Sequence, residues 1–105
     1  MAKVILGGIE IEIDENGFIQ EPDKWNEAVA SDLAELENAS PLSVDSWKLV
    51  KFMRAYYIEY GTAPPIRMLV KRTGIDLPSI YKLFPSGPIK GVCKVAGLPK
   101  PDGCV

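Results

Sequence analysis

The segment Ile9-Glu10-Ile11-Glu12-Ile13 alternates strictly between β-branched and acidic side chains. Successive strand residues point to opposite faces, so this run reads as a half-buried strand. Gly7-Gly8 before it and Asp14-Glu15-Asn16-Gly17 after it are turn signals. Lys3 to Leu6 and Phe18 to Gln20 are available to pair on either side. A small antiparallel hairpin or meander is expected over residues 1–20. A hairpin alone is marginal in water, so the rest of the chain must supply helices for it to pack on.

The rest reads as those helices. Pro22-Asp23 opens a first one, with Trp25, Ala28, Val29, Leu33 and Leu36 as an apolar stripe and Glu27, Asp32, Glu35 and Glu37 outside. Asn38 to Leu42 reads as a loop. Ser43 is a good N-cap for a second helix ending at Gly61, and Asp45 suits its positive end. Trp47, Leu49, Val50, Phe52, Met53, Tyr56, Tyr57 and Tyr60 cover much of that helix, which predicts the central core helix. Pro64-Pro65 starts a third, through Ile66, Leu69 and Val70 to Thr73 and Gly74. Pro78 sits in the first turn of a fourth, with Ile80, Tyr81 and Leu83. These two short helices and their glycine turn resemble a helix-turn-helix. Ser86 is a candidate cap for a last helix, in which Ile89, Val92, Cys93 and Ala96 fall on one face.

Gly97 ends that helix, and Leu98-Pro99-Lys100-Pro101-Asp102-Gly103-Cys104-Val105 reads as an extended arm. Eight extended residues reach about 26 Å. The fold expectation is therefore mainly α (α+β): one domain over 1–105. It has a hairpin (1–20), a small orthogonal helical bundle with a helix-turn-helix-like part (21–96), and a mobile C-terminal arm (97–105).

Composition narrows the chemistry. The chain has 105 residues, 47% hydrophobic and 25% charged, which suits one soluble core. It has no histidine, which removes the commonest general base and metal ligand. Two cysteines, Cys93 and Cys104, are too few for a secreted disulfide scaffold and too widely spaced for a zinc or cluster site within one chain. No signal-like or bilayer-length apolar run is visible, so a cytoplasmic protein with reduced thiols and no membrane insertion is expected.

Charge is unevenly spread. Residues 1–60 carry five basic and twelve acidic side chains, and residues 61–105 carry seven basic and two acidic. Arg67, Lys71, Arg72 and Lys82 decorate the helix-turn-helix-like part, where they could meet an anion or nucleic acid. The overall pI near 5.1 argues against nucleic acid as the main partner.

Cys104, one position from the last residue, has almost no chain beyond it to shield it, whereas Cys93 on its helical face could equally be a small core residue. Thiolates are the reactive form, and Lys94 and Lys100 would favour a thiolate nearby. Bending the arm back could bring the two sulfurs within bonding range. A docking arm in a purely structural subunit, or a helix-turn-helix regulator, are the other classes these residues allow.

The stretch from Phe84 to Val105, above all Cys93-Lys94-Val95-Ala96-Gly97-Leu98-Pro99-Lys100-Pro101-Asp102-Gly103-Cys104-Val105, closely resembles the C-terminus of the DsrC/TusE family of sulfur carriers. The resemblance extends to Asp14-Glu15-Asn16-Gly17-Phe18, Gly61-Thr62-Ala63-Pro64 and Thr73-Gly74. Asp102 stands where many relatives have threonine. The resemblance implies a non-enzymatic co-substrate of dissimilatory sulfite reductase, monomeric when free. Cys104 would take sulfite-derived sulfur from the reductase α and β subunits, whose sirohaem belongs to them; this chain would bind no cofactor. Cys93 would close a Cys93–Cys104 trisulfide for a membrane-bound reductase complex to discharge. Gly97, Leu98, Pro99, Lys100, Pro101, Gly103 and Val105 would form the partner-binding arm. TusE-like relatives imply a persulfide relay with other sulfurtransferases for tRNA thiolation. They usually lack a counterpart of Cys93, so its presence favours the two-thiol branch.

Overall fold

A computed structural model describes residues 2–100. Strands β1 (Ala2–Leu6) and β2 (Ile9–Ile13) form a two-stranded antiparallel sheet in which Val4 faces Ile11 and Leu6 faces Ile9. Gly7 and Gly8 both have positive φ, 59° and 80°, the pattern that lets a two-residue turn follow the strand twist. The Gly7 amide donates to Asp32 Oδ2 at 2.6 Å, and a Cβ there would strike the Val29 backbone. The hairpin tip is thus fastened to the first α-helix. Phe18 to Gln20 adds only a single bridge, Ile13 to Ile19, rather than a third strand. Asp14 Oδ1 accepts from the amides of Asn16 and Phe18, which turns the chain and sends the Phe18 ring into the core.

The helix expected from Pro22 comes in two pieces. Pro22–Lys24 is one 3-10 turn; the chain then extends through Trp25, and Asn26 recaps it by accepting from the Val29 amide. Helix α1 runs Glu27–Leu36 and buries Val29, Ala30, Leu33 and Ala34. Ala28 and Leu36, read as part of its stripe, are exposed. The late start shifts the buried face by one residue.

Helix α2, Val44–Tyr60, starts and stops where its sequence says. Ser43 accepts from the Ser46 amide, and Gly61 closes the helix in the left-handed conformation. Its N-terminal half buries Leu49, Val50 and Met53, but Ile58 and Tyr60 are 74% and 60% exposed. Helices α3 (Ile66–Thr73) and α4 (Leu77–Leu83) are joined by Gly74-Ile75-Asp76, and Asp76 caps α4 through the Ser79 amide.

The innermost helix is the shortest. Helix α5, Lys90–Val95, packs against both α1 and α2, and Gly91, Val92, Cys93 and Val95 are all buried. The central position expected of α2 thus belongs to α5, because covering every side of a helix needs neighbours all round, and only a short helix has them here. Ser86, expected to cap α5, instead donates to Glu37 Oε1 at 2.7 Å. Two apolar clusters result: a large one around α5 and a smaller one under the hairpin, both touched by Trp25.

Candidate functional site

Cys93 sits in α5 with 1% of its surface exposed. Its amide donates to the Ile89 carbonyl, and its own carbonyl accepts from the Leu98 amide at 3.0 Å. Despite that burial, it forms part of the wall of a small cavity of about 100 Å³. The other walls are Tyr57 at the end of α2, the Gly61-Thr62-Ala63 loop, and Pro99 and Lys100. Cys93 is therefore buried in the core and yet borders a cavity shared with the segment that follows the helix.

The end of α5 is held by two residues from distant parts of the chain. Trp25 Nε1 donates to the Val95 carbonyl at 2.8 Å, and Arg54 Nη1 donates to the Ala96 carbonyl at 2.7 Å. These carbonyls belong to the helix end, where intrahelical donors run out. The Arg54 guanidinium lies over the Trp25 ring, 4.1 Å from its centroid, and its charge suits the negative end of the helix. Partial burial pushes the Arg54 pKa down from its ordinary value, which leaves it a cation at neutral pH. Gly97 completes the arrangement with φ of 70°, and any Cβ there would run into the Trp25 ring. The Gly97 amide donates to Lys94, and Leu98 is then 3% exposed in the main core.

This corrects where the arm begins. Gly97 and Leu98, expected to lie in a loose segment, belong to the packed core, because the left-handed glycine turns the chain back over α5. Pro99 and Lys100 are exposed. Pro101, Gly103, Cys104 and Val105, with Asp102, lie outside the described residues.

Lys94, expected to favour a thiolate, is engaged elsewhere. Its ammonium pairs with Glu37 at 3.2 Å and lies over the Phe18 ring, and both partners in that ion pair are largely covered. Lys100 is the lysine that lines the Cys93 cavity. Arg67, Lys71 and Arg72 do gather, with Pro65 and Met68, along an exposed groove of about 440 Å³ on α3, while Lys82 stands apart on α4. Among the described residues these four make no ion pair.

Trp25 and Arg54 are the site residues that sequence reasoning missed. Spacing alone puts Trp25 on a helical stripe, and Arg54 counts only as one of the five basic residues of 1–60. Their partners lie 70 and 42 positions away, beyond any periodic pattern. The one usable signal is chemical: an indole that is largely covered must find an acceptor for its N–H.

Among the described residues no group of three or more His, Cys, Asp or Glu side chains could hold a metal, and no helix is long and apolar enough to cross a membrane. Fold and site together define a small α+β domain with a thiol in its central helix and a clamped exit for its C-terminal segment.

The comparisons give this class its family. The family described as "DsrC like protein" matches residues 5–105. The chain is 47% identical, over the full length of both proteins, to "Sulfite reductase, dissimilatory-type subunit gamma" of Nitratidesulfovibrio vulgaris. It is 42% identical to "Sulfurtransferase TusE" of Escherichia coli, covering 97% of this chain and 99% of that protein. The crystal structure of the oxidized gamma-subunit of the dissimilatory sulfite reductase (DsrC) from Archaeoglobus fulgidus superposes with a TM-score of 0.86 at 44% identity, covering 99% of this chain and 100% of that one. The chain belongs to the DsrC family. Relatives named as a reductase subunit and as a sulfurtransferase support a sulfur-carrier role.

Proposed function

We propose that this chain is a sulfur-carrying co-substrate of dissimilatory sulfite reductase and not itself an enzyme. The observation that carries the reading is the position of Cys93: buried in α5, yet lining a cavity whose far wall is Pro99-Lys100, the root of the segment that ends in Cys104 and Val105.

In this reading Cys104 takes sulfite-derived sulfur at the reductase, in the cytosol, and the sirohaem stays with the reductase α and β subunits. Cys93 then closes on the adduct. One sulfite, two thiols, two electrons and four protons give the Cys93–Cys104 trisulfide and three waters. A membrane-bound reductase complex supplies four electrons and four protons, returning the two thiols and one hydrogen sulfide. In this division of labour the buried Cys93 keeps its position, while Cys104 is the thiol presented to the reductase. The chain itself needs no histidine, metal or cofactor for this, because the sulfur chemistry that requires them belongs to its partners.

The likeness to a sulfurtransferase favours a second reading, a persulfide relay among sulfurtransferases that uses Cys104 alone. Intact mass after incubation with dissimilatory sulfite reductase, sulfite and reductant separates the two. The parent chain should gain one sulfur and lose both free thiols. Cys104→Ala should gain none. Cys93→Ser should gain sulfur but remain an open adduct. Normal loading of Cys104→Ala would remove the proposal, and identical products from the parent and Cys93→Ser would favour the relay.

A further inference from the structure

We infer that Trp25, Arg54 and Gly97 are positioning residues: a clamp that fixes where the C-terminal segment leaves the body and sets Pro99 and Lys100 along the Cys93 cavity. What that segment delivers rests on the carrier reading; the clamp itself rests on contacts within the body.

Three independent contacts converge on residues 95–97. The Trp25 N–H and the Arg54 guanidinium take the two carbonyls that end α5, at 2.8 and 2.7 Å. The indole lies under the guanidinium at 4.1 Å and leaves no room for a side chain at residue 97. The chain is therefore held at two successive carbonyls as it turns, and Leu98 is buried in the main core just after the turn. The next two residues, Pro99 and Lys100, emerge along the cavity that Cys93 lines. The exit of Pro99 and Lys100 is thus set at Gly97 and runs beside the cavity that Cys93 lines.

These residues come from three elements. Trp25 precedes α1, Arg54 is on α2, and Gly97 follows α5. Neither carbonyl needs such strong donors merely to end a helix; water or a tightened last turn would serve. A charged donor stacked on an indole holds the exit in one orientation, which raises the local concentration of the following segment at the cavity.

The experiment measures the Cys93–Cys104 pair in exchange with glutathione. Two protein thiols and one glutathione disulfide give the intramolecular disulfide and two glutathione thiols, so every bond broken is matched by one formed. The equilibrium constant is the effective concentration of one thiol at the other. Trp25→Phe keeps an aromatic ring, though a smaller one, and removes the N–H donor; Arg54→Gln removes the charge and the stacking. In molecules shown to be folded by circular dichroism, each should lower the effective concentration by about tenfold, and Arg54→Lys should recover part of the loss.

A merely structural role predicts a lower melting temperature with the effective concentration unchanged. Values within twofold of the parent for the folded variants would overturn the clamp. Should Arg54→Gln fail to fold, Trp25→Phe alone decides. The equilibrium needs no reductase. A parent chain that never gains sulfur, with variants that still lower the effective concentration, would remove the carrier reading and leave the clamp standing. Sulfur loading with clamp-insensitive exchange would do the reverse.

Discussion

Gly97 is the residue on which most depends. It needs a positive φ, and the Trp25 ring occupies the space a Cβ would take. Gly97→Ala is expected to lower stability by about 2–4 kcal/mol, from left-handed backbone strain plus overpacking; urea unfolding measures it. Two acids contribute to the acid side of the stability curve. Ser79 holds the Asp76 carboxyl below its ordinary value of 3.8, and Lys24 with the Glu12 amide holds Glu21 below its ordinary 4.5. Both folded values are depressed, so their contributions are present above the ordinary values and are lost as pH falls through the folded ones. Stability from these groups should be flat near neutrality and decline below about pH 4.5. Asp76→Asn, which keeps an acceptor at the cap without titrating, should make that decline shallower in unfolding curves taken across acid pH.

Helix α5 shows how far local sequence reaches. Its face of Ile89, Val92, Cys93 and Ala96 was legible from spacing, as were the cap Ser43 and the stops Gly61 and Gly74, because each is decided within a few residues, whereas the Asp76 cap of α4 appears only in the structure. What lay beyond the pattern was long-range. Ser86 bonds Glu37 rather than capping α5, Leu98 packs rather than dangling, and Asn26 restarts a helix that Pro22 had begun. The thiols and their division into a buried and a terminal one could be read from the chain; the clamp that relates them could not. Leu98→Ala tests the new boundary. A residue on a loose arm would lose almost nothing, whereas a core leucine should cost about 2–4 kcal/mol in chemical denaturation. Amide hydrogen exchange should find the slowest protons of the molecule in α5, since Gly91, Val92, Cys93 and Val95 are all buried.

At the scale of the whole molecule, the two apolar clusters are one cooperative unit. Trp25 packs against both, and Asp32 holds the hairpin tip to α1. Methyl resonances of Ile11, under the hairpin, and Val92, in the main core, should therefore disappear at the same temperature. Separate transitions would show the hairpin to be an independent appendage. The unevenness of charge also takes a physical form: the acidic first part and the basic last part meet at the covered Glu37–Lys94 pair. That pair joins the end of α1 to α5, and so adds a second tie on the thiol-bearing helix beside the Arg54 contact.

The stacked indole has one more consequence, an optical one. Trp25 is one of only two tryptophans, and its excited state is sensitive to the cation above its ring and to the carbonyl accepting its N–H. With Trp47→Phe removing the other fluorophore, the emission of a single native chromophore reports on the exit of α5. Loading and discharge of the chain could then be followed in real time, by light, without attaching a label.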